Sequence, residues 1–194
     1  MKHFKIALLV AATLATVASP AFAQLATAGL DFVEAVKSSD GDKVVKLLQD
    51  HPTGLFDAKD EDGNTGLIIA LARRDDEWTG FLLNKGADPN LPGIGGNTPL
   101  ITAARVGYED AVGWLLGLGA KVDATNKMGE TALIAAVQTH QVPVVRVLLQ
   151  AGADPDKTDS AQGFSARDYA TRDPRSRDVL KLIEAKKPKA APAH

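Results

Sequence analysis

Gly96-Asn97-Thr98-Pro99-Leu100-Ile101-Thr102-Ala103 decides the fold, because the chain writes it three times. The other copies are Gly63-Asn64-Thr65-Gly66-Leu67-Ile68-Ile69-Ala70 and Gly129-Glu130-Thr131-Ala132-Leu133-Ile134-Ala135-Ala136, and successive threonines lie 33 residues apart. Each copy is followed at constant distance by an apolar triplet: Phe81-Leu82-Leu83, Trp114-Leu115-Leu116 or Val147-Leu148-Leu149. A glycine turn then closes the unit at Gly86, Gly119 and Gly152. A period in the low thirties signals stacked units, not a globule closed around one core.

Within a unit the residues spell helix, turn, helix. Thr98 can cap a first helix through its hydroxyl, and Pro99 already has the dihedral of a first helical position. Leu100, Ala103 and Ala104 fall on one face at helical spacing, and Gly107 can end the helix in the left-handed conformation. Ala111, Val112, Leu115 and Leu116 form the inward face of a second helix. Two such helices cannot bury an apolar face alone, so stability must come from the stack. Weaker copies stand at both ends. Upstream, Phe32 to Leu48 has the alanine and the Leu47-Leu48 pair, with two extra residues before the next unit falls into register. Downstream, Gly163-Phe164-Ser165-Ala166-Arg167-Asp168-Tyr169-Ala170 repeats the motif with one residue added, and Val179, Leu180, Leu182 and Ile183 close it. This gives caps at about 31–59 and 160–185 around full repeats at about 60–92, 93–125 and 126–159, within a domain spanning 24–185.

The pattern Gly-x-Thr-Pro-Leu-x-x-Ala, then Leu-Leu, then Gly-Ala-Asp-x-Asn resembles the ankyrin repeat, from Asp31 to Glu184. That resemblance implies an all-α solenoid of stacked helix-turn-helix units with projecting loops or β-hairpins. Two departures stand out. Ile68, Ile101 and Ile134 occupy the position where the family carries a histidine that ties threonine and loop together, so apolar packing is expected there. The glycine between the helices is kept only as Gly107, with Arg74 and His140 in the flanking repeats. A left-handed non-glycine residue costs roughly 1 kcal/mol.

The totals bound the function. A formal charge of −2 argues against a nucleic-acid binder. The absence of cysteine removes disulfides, thiolate metal sites and a cysteine nucleophile. Lys2 and Lys5 precede an apolar run from Ile6 to Val17, and Ala21-Phe22-Ala23 places small residues before Gln24. This predicts a secretory signal peptide over residues 1–23. The run falls short of the ~20 residues that span a bilayer. With no cysteine near the cut and no paired arginines, neither a lipoprotein anchor nor the twin-arginine route is expected. Cleavage would take the formal charge from −2 to −4. The expected product is an exported protein without membrane insertion, in the periplasm of a Gram-negative bacterium, or alternatively secreted. Lys186 to His194, basic and rich in proline and alanine, reads as a disordered tail.

Motifs that suggest chemistry dissolve into the repeat. Gly93-Ile94-Gly95-Gly96 lacks the lysine and hydroxyl residue of a phosphate loop and reads as a loop tip. Gly163-Phe164-Ser165-Ala166-Arg167 has arginine where a nucleophile elbow needs its second glycine, and Ser165 holds the capping position. His3, His51, His140 and His194 contain no metal-pair spacing. Asp75-Asp76-Glu77 suits the start of a second helix, where carboxylates favour the helix dipole. Trp78 and Trp114 are expected in the core or between repeats. No catalytic residue, cofactor or metal is expected.

A binding surface remains. The family's usual contact positions, carried over, give loop tips at Glu61, Asp62, Asn64, Ile94, Asn97, Lys127, Met128 and Glu130. First-helix ends give Arg73, Arg105, Val106, Tyr108, Gln138 and Thr139. Ile94, Val106, Tyr108 and Met128 are expected to form an apolar patch bordered by Arg73 and Arg105, a composition enriched at interfaces. The resemblance implies a monomeric, non-enzymatic scaffold that binds another protein. The alternatives are an accessory factor for periplasmic stress-defence enzymes, such as peroxide-detoxifying ones, or a secreted effector.

Overall fold

The computed structural model describes residues 20–51 and 54–185, with side chains from Gln24 onward. Residues 1–19 of the expected leader and the whole expected tail from Lys186 lie outside the described residues. Pro20 to Ala23, the end of that leader, are helical.

The described residues form ten α-helices: α1 Pro20–Ser38, α2 Gly41–Asp50, α3 Gly66–Arg73, α4 Asp76–Asn84, α5 Pro99–Val106, α6 Glu109–Gly117, α7 Ala132–Gln138, α8 Val142–Gln150, α9 Ala166–Arg172 and α10 Arg177–Ala185. Consecutive helices pair, and the first helices α1, α3, α5, α7 and α9 stack into one row. The all-α stack of helix pairs expected from the sequence is therefore what forms. α5 and α7 make the most extensive contact in that row, over small residues such as Ala103, Ala104, Ala135 and Ala136, all buried. In the second row α6, α8 and α10 pack in turn, whereas α2 with α4 and α4 with α6 approach less closely.

The first helices start as the repeat predicts. The Thr65, Thr98 and Thr131 hydroxyls accept the N–H groups of Ile68, Ile101 and Ile134 at 3.3, 3.2 and 3.2 Å. Ser165 and Asp168 cap α9 reciprocally. The three isoleucines are buried, and each contributes about 1.5–3 kcal/mol in place of the family's hydrogen-bonding histidine. Gly107 ends α5 at φ 72°, while Arg74 and His140 adopt φ 54° and 58° at the equivalent turns. The left-handed turn is thus kept without glycine, at a cost of roughly 1 kcal/mol each.

The structure also departs from expectation. The opening unit reaches back beyond residue 31, with Ala28 buried and Gly29 packed so tightly that a Cβ there would lie 2.7 Å from Ala58 Cβ. Phe32 meets Phe56 edge to face at 5.5 Å. The projecting loops carry isolated antiparallel bridges at Lys59–Thr65, Thr125–Thr131 and Thr158–Ser165, and no strand forms among the described residues. Trp114 is 40% exposed, with its ring edge to face against Tyr108 at 6.0 Å.

Candidate partner-binding surface

The loop tips are fastened to one another through backbone groups. Ile94 N–H donates to Asn64 Oδ1 (3.0 Å), Lys127 N–H to Gly95 O (3.0 Å), and Ser160 N–H to Met128 O (2.7 Å). Glycines make these approaches possible. A Cβ on Gly93 would lie 2.6 Å from Asn64 Oδ1, and one on Gly129 would lie 2.6 Å from the Ser160 nitrogen. Gly93-Ile94-Gly95-Gly96 is therefore a docking edge for its neighbours.

A second register, 33 residues apart like the threonines, holds each loop closed: Asp60, Gly93, Asn126 and Asp159. Asp60 accepts the Asn64 N–H at 2.7 Å and pairs with Lys37 at 2.9 Å. Burial pushes its carboxyl upward, but these two partners outweigh burial and hold it below the usual carboxylate range. Asp159 behaves alike: burial is overcome by the Tyr169 hydroxyl and the Gln162 and Gly163 N–H groups. Asn126 does the same work as a neutral residue. Its Oδ1 accepts Met128 and Glu130 N–H, while its Nδ2 donates to Asn97 Oδ1 (2.9 Å) and Glu130 Oε2 (2.8 Å). Sequence reasoning missed Asn126 and Asp159, although their spacing was available to find them.

This framework sorts the expected contact residues. Ile94 and Met128 stand out at the tips, each 55% exposed. Glu61, Asp62, Lys127 and Gln138 are exposed beside or below them. Asn64 and Asn97 are half-buried and spent on holding the loops, and Thr139 donates its hydroxyl to the Ala135 carbonyl. Val106 is half-buried against the core.

Three residues are engaged by neighbours within the stack, and two of them, Glu130 and Tyr108, need correction. Glu130 is only 3% exposed: its carboxylate anchors Asn126 and takes a 2.6 Å hydrogen bond from Arg105 Nη2, so it serves the interior. Arg73 is exposed as expected, and its guanidinium donates to the Lys37 and Val36 carbonyls at the end of α1 (2.7 and 3.1 Å). Tyr108 is 3% exposed and cannot line a patch with Ile94. Its hydroxyl donates to Asp76 of the preceding unit, and Arg74 lies 5.7 Å above its ring. Burial, reinforced by the Asp76 carboxylate, pushes the Tyr108 hydroxyl well above the usual tyrosine range. Tyr108 follows α5 whereas Ile94 precedes it, and the eight-residue helix sets the two ends about 12 Å apart.

Side chains that suggested chemistry have structural partners. The Ser165 hydroxyl donates to Asp168 Oδ2 at 2.7 Å, and His140 Nε2 lies 2.6 Å from Asp173 Oδ2. What remains is a row of rigid tips, acidic at the first loop (Glu61, Asp62) and apolar to basic at the next two (Ile94, Lys127, Met128). A family model described as ankyrin repeats, in three copies, matches residues 32–126 and 94–159. No curated protein matches the chain.

Proposed function

We infer what this chain does from one premise: it belongs to the ankyrin-repeat family. Ankyrin repeats generally mediate protein–protein interaction. The chain is a monomeric, non-enzymatic module that captures another protein along its loop tips. The observation that carries this reading is the exposure of Ile94 and Met128 on a backbone fixed by tip-to-tip hydrogen bonds. Apolar groups held in one geometry lose little entropy when they bind, and binding energy concentrates in such anchors. Non-enzymatic action is supported by the structural partners of Ser165 and His140.

The site of action is the bacterial periplasm, reached by removal of residues 1–23. The basic start, the short apolar run and Ala21-Phe22-Ala23 support this. Fractionation with N-terminal sequencing should find a periplasmic chain beginning at Gln24; a cytoplasmic chain retaining Met1 would refute export.

The binding reading is tested with a photo-crosslinking residue at position 128. One defined partner should be captured, and Ile94→Asp should abolish capture without lowering the unfolding midpoint. Capture that is unaffected by Ile94→Asp, or that occurs equally from the opposite face, would remove the tips from consideration.

A further inference from the structure

The second-helix side of the stack carries a feature that the loop tips do not use. A cleft of about 240 Å³ opens between α2 and α4, lined by Val44, Val45, Trp78 and Phe81 with Gly41, Asp42 and Glu77. Val45 is 50% exposed, and Trp78 and Phe81 brace each other edge to face at 5.7 Å. In the next unit Trp114 of α6 and Leu118, just beyond that helix, are exposed as well. Gly80 and Gly113, 33 residues apart on the same helix position, leave open space where a side chain would stand.

Carboxylates accompany this surface, with a cation, Lys85, 5.8 Å over the Phe81 ring. Asp42, Glu77, Glu109 and Asp110 occupy the first turns of α2, α4 and α6 and are all exposed. None of the four makes an ion pair or a side-chain hydrogen bond among the described residues. The helix dipole explains acids at helix starts. It does not explain an open cleft lined by valine and aromatic side chains beside them. α8 has no acid in its first turn and carries Arg146 on its exposed side, and the first-turn acid of α10, Asp178, is paired with Lys181 at 3.1 Å. Unpaired first-turn acids beside exposed apolar side chains therefore belong to the first three units.

We propose that the α2–α4 cleft is a second docking site, which takes a cationic amphipathic segment of a partner protein. A leucine- or phenylalanine-sized side chain enters between Val45, Trp78 and Phe81, and a neighbouring lysine or arginine meets Glu77 and Asp42. The apolar cleft supplies affinity, and the unpaired carboxylates select the sign of the partner's charge. With the loop tips engaged separately, the chain becomes a two-sided adaptor.

The test uses the full chain carrying Trp114→Phe, which leaves Trp78 as its single tryptophan. The probes are a short amphipathic Leu/Lys peptide and a Leu/Glu peptide of the same pattern. The Leu/Lys peptide should shift Trp78 emission saturably, and the Leu/Glu peptide should not. Glu77→Lys and Val45→Lys should each weaken binding about tenfold or more. Glu61→Lys, the same charge change on the first loop, should leave it within about twofold. Ile94→Asp should also leave it unchanged, so failure here and failure of the loop-tip reading are separable. Should Val45→Lys perturb the fold by circular dichroism, Val45→Ser is expected to weaken binding about threefold. No emission shift, equal binding of the Leu/Glu peptide, or a Glu61→Lys effect as large as that of Glu77→Lys would each overturn the proposal.

Discussion

The two ends of each helix pair are held together by different means. At the tip edge, where loops lead into the first helices, each copy hands the next a hydrogen bond that uses a backbone group: Asn64 to Ile94, Gly95 to Lys127, Met128 to Ser160. The Asn97–Asn126 side-chain bond is added between two of them. At the turn edge, between first and second helices, the cross-links are individual and come from side chains. Arg73 reaches back to the end of α1, Tyr108 to Asp76, and His140 to Asp173, while the Gln141 amide lies against Gly107. Backbone geometry recurs because the period recurs; side-chain cross-links differ because residue identities drift between copies. The tip edge should therefore be the stiffer of the two, and the turn edge the more tolerant.

Gly129 and Gly107 give the sharpest contrast, since both need positive φ, 74° and 72°. A Cβ on Gly129 would meet the Ser160 backbone, whereas one on Gly107 would meet only the flexible Gln141 amide. Gly129→Ala should cost about 2–3 kcal/mol and Gly107→Ala about 1 kcal/mol, read from urea unfolding. Equal losses would erase the distinction between the edges.

Next in size, Glu130→Ala should destabilise the chain by about 2 kcal/mol, because Asn126 Nδ2 and the Arg105 guanidinium both lose an acceptor. Glu130→Gln keeps an oxygen for Asn126 and should recover about half of that. An exposed contact residue would show neither loss.

At the turn edge, Tyr108→Phe should cost about 1 kcal/mol at neutral pH, through the lost hydroxyl–Asp76 bond. It should also change the alkaline limb. The native hydroxyl is held above its unfolded value, so its contribution is intact below about pH 10 and falls as pH rises beyond that. In Tyr108→Phe the drop in urea midpoint between pH 8 and 11 should be smaller than in the parent.

The acid limb tests the tip edge in the opposite sense. Asp159 is held below the usual carboxylate range, so its contribution is present above the unfolded value of about 4 and is lost as pH falls toward the native one. Asp159→Asn should flatten the midpoint's dependence on pH below about 4, at the expense of stability at neutral pH. An unchanged acid limb would mean that Asp159 does not hold its loop.

The smallest expected effect is on stability at the exposed tips. Ile94→Asp with Met128→Asp should move the unfolding free energy by no more than about 0.5 kcal/mol while removing partner capture. A large loss would show these side chains to be structural.

Much of the fold was legible in the chain. Thr65, Thr98, Thr131 and Ser165 cap as their spacing indicates, and Arg74 and His140 take the left-handed turn that Gly107 marks. The candidate surface was less legible. Tyr108 sits at a helix start, where no periodicity assigns a face, and Glu130 looked like a loop acid until Arg105 and Asn126 were seen to converge on it. Trp114 erred the other way: helical spacing placed it inward, and it stands 40% exposed against Tyr108.

By itself, the sequence determined the period, the helices, their caps and the apolar faces, because those depend on residues within about four positions or on a repeating pattern. Only the tertiary structure decided which polar side chains are spent within the stack and which are left to bind. The contacts that decide it join residues about one repeat apart, such as Asn97 to Asn126, Tyr108 to Asp76 and His140 to Asp173. Whether two such side chains meet depends on how far each unit turns against the next, and that angle is set by packing, not by any local run of residues.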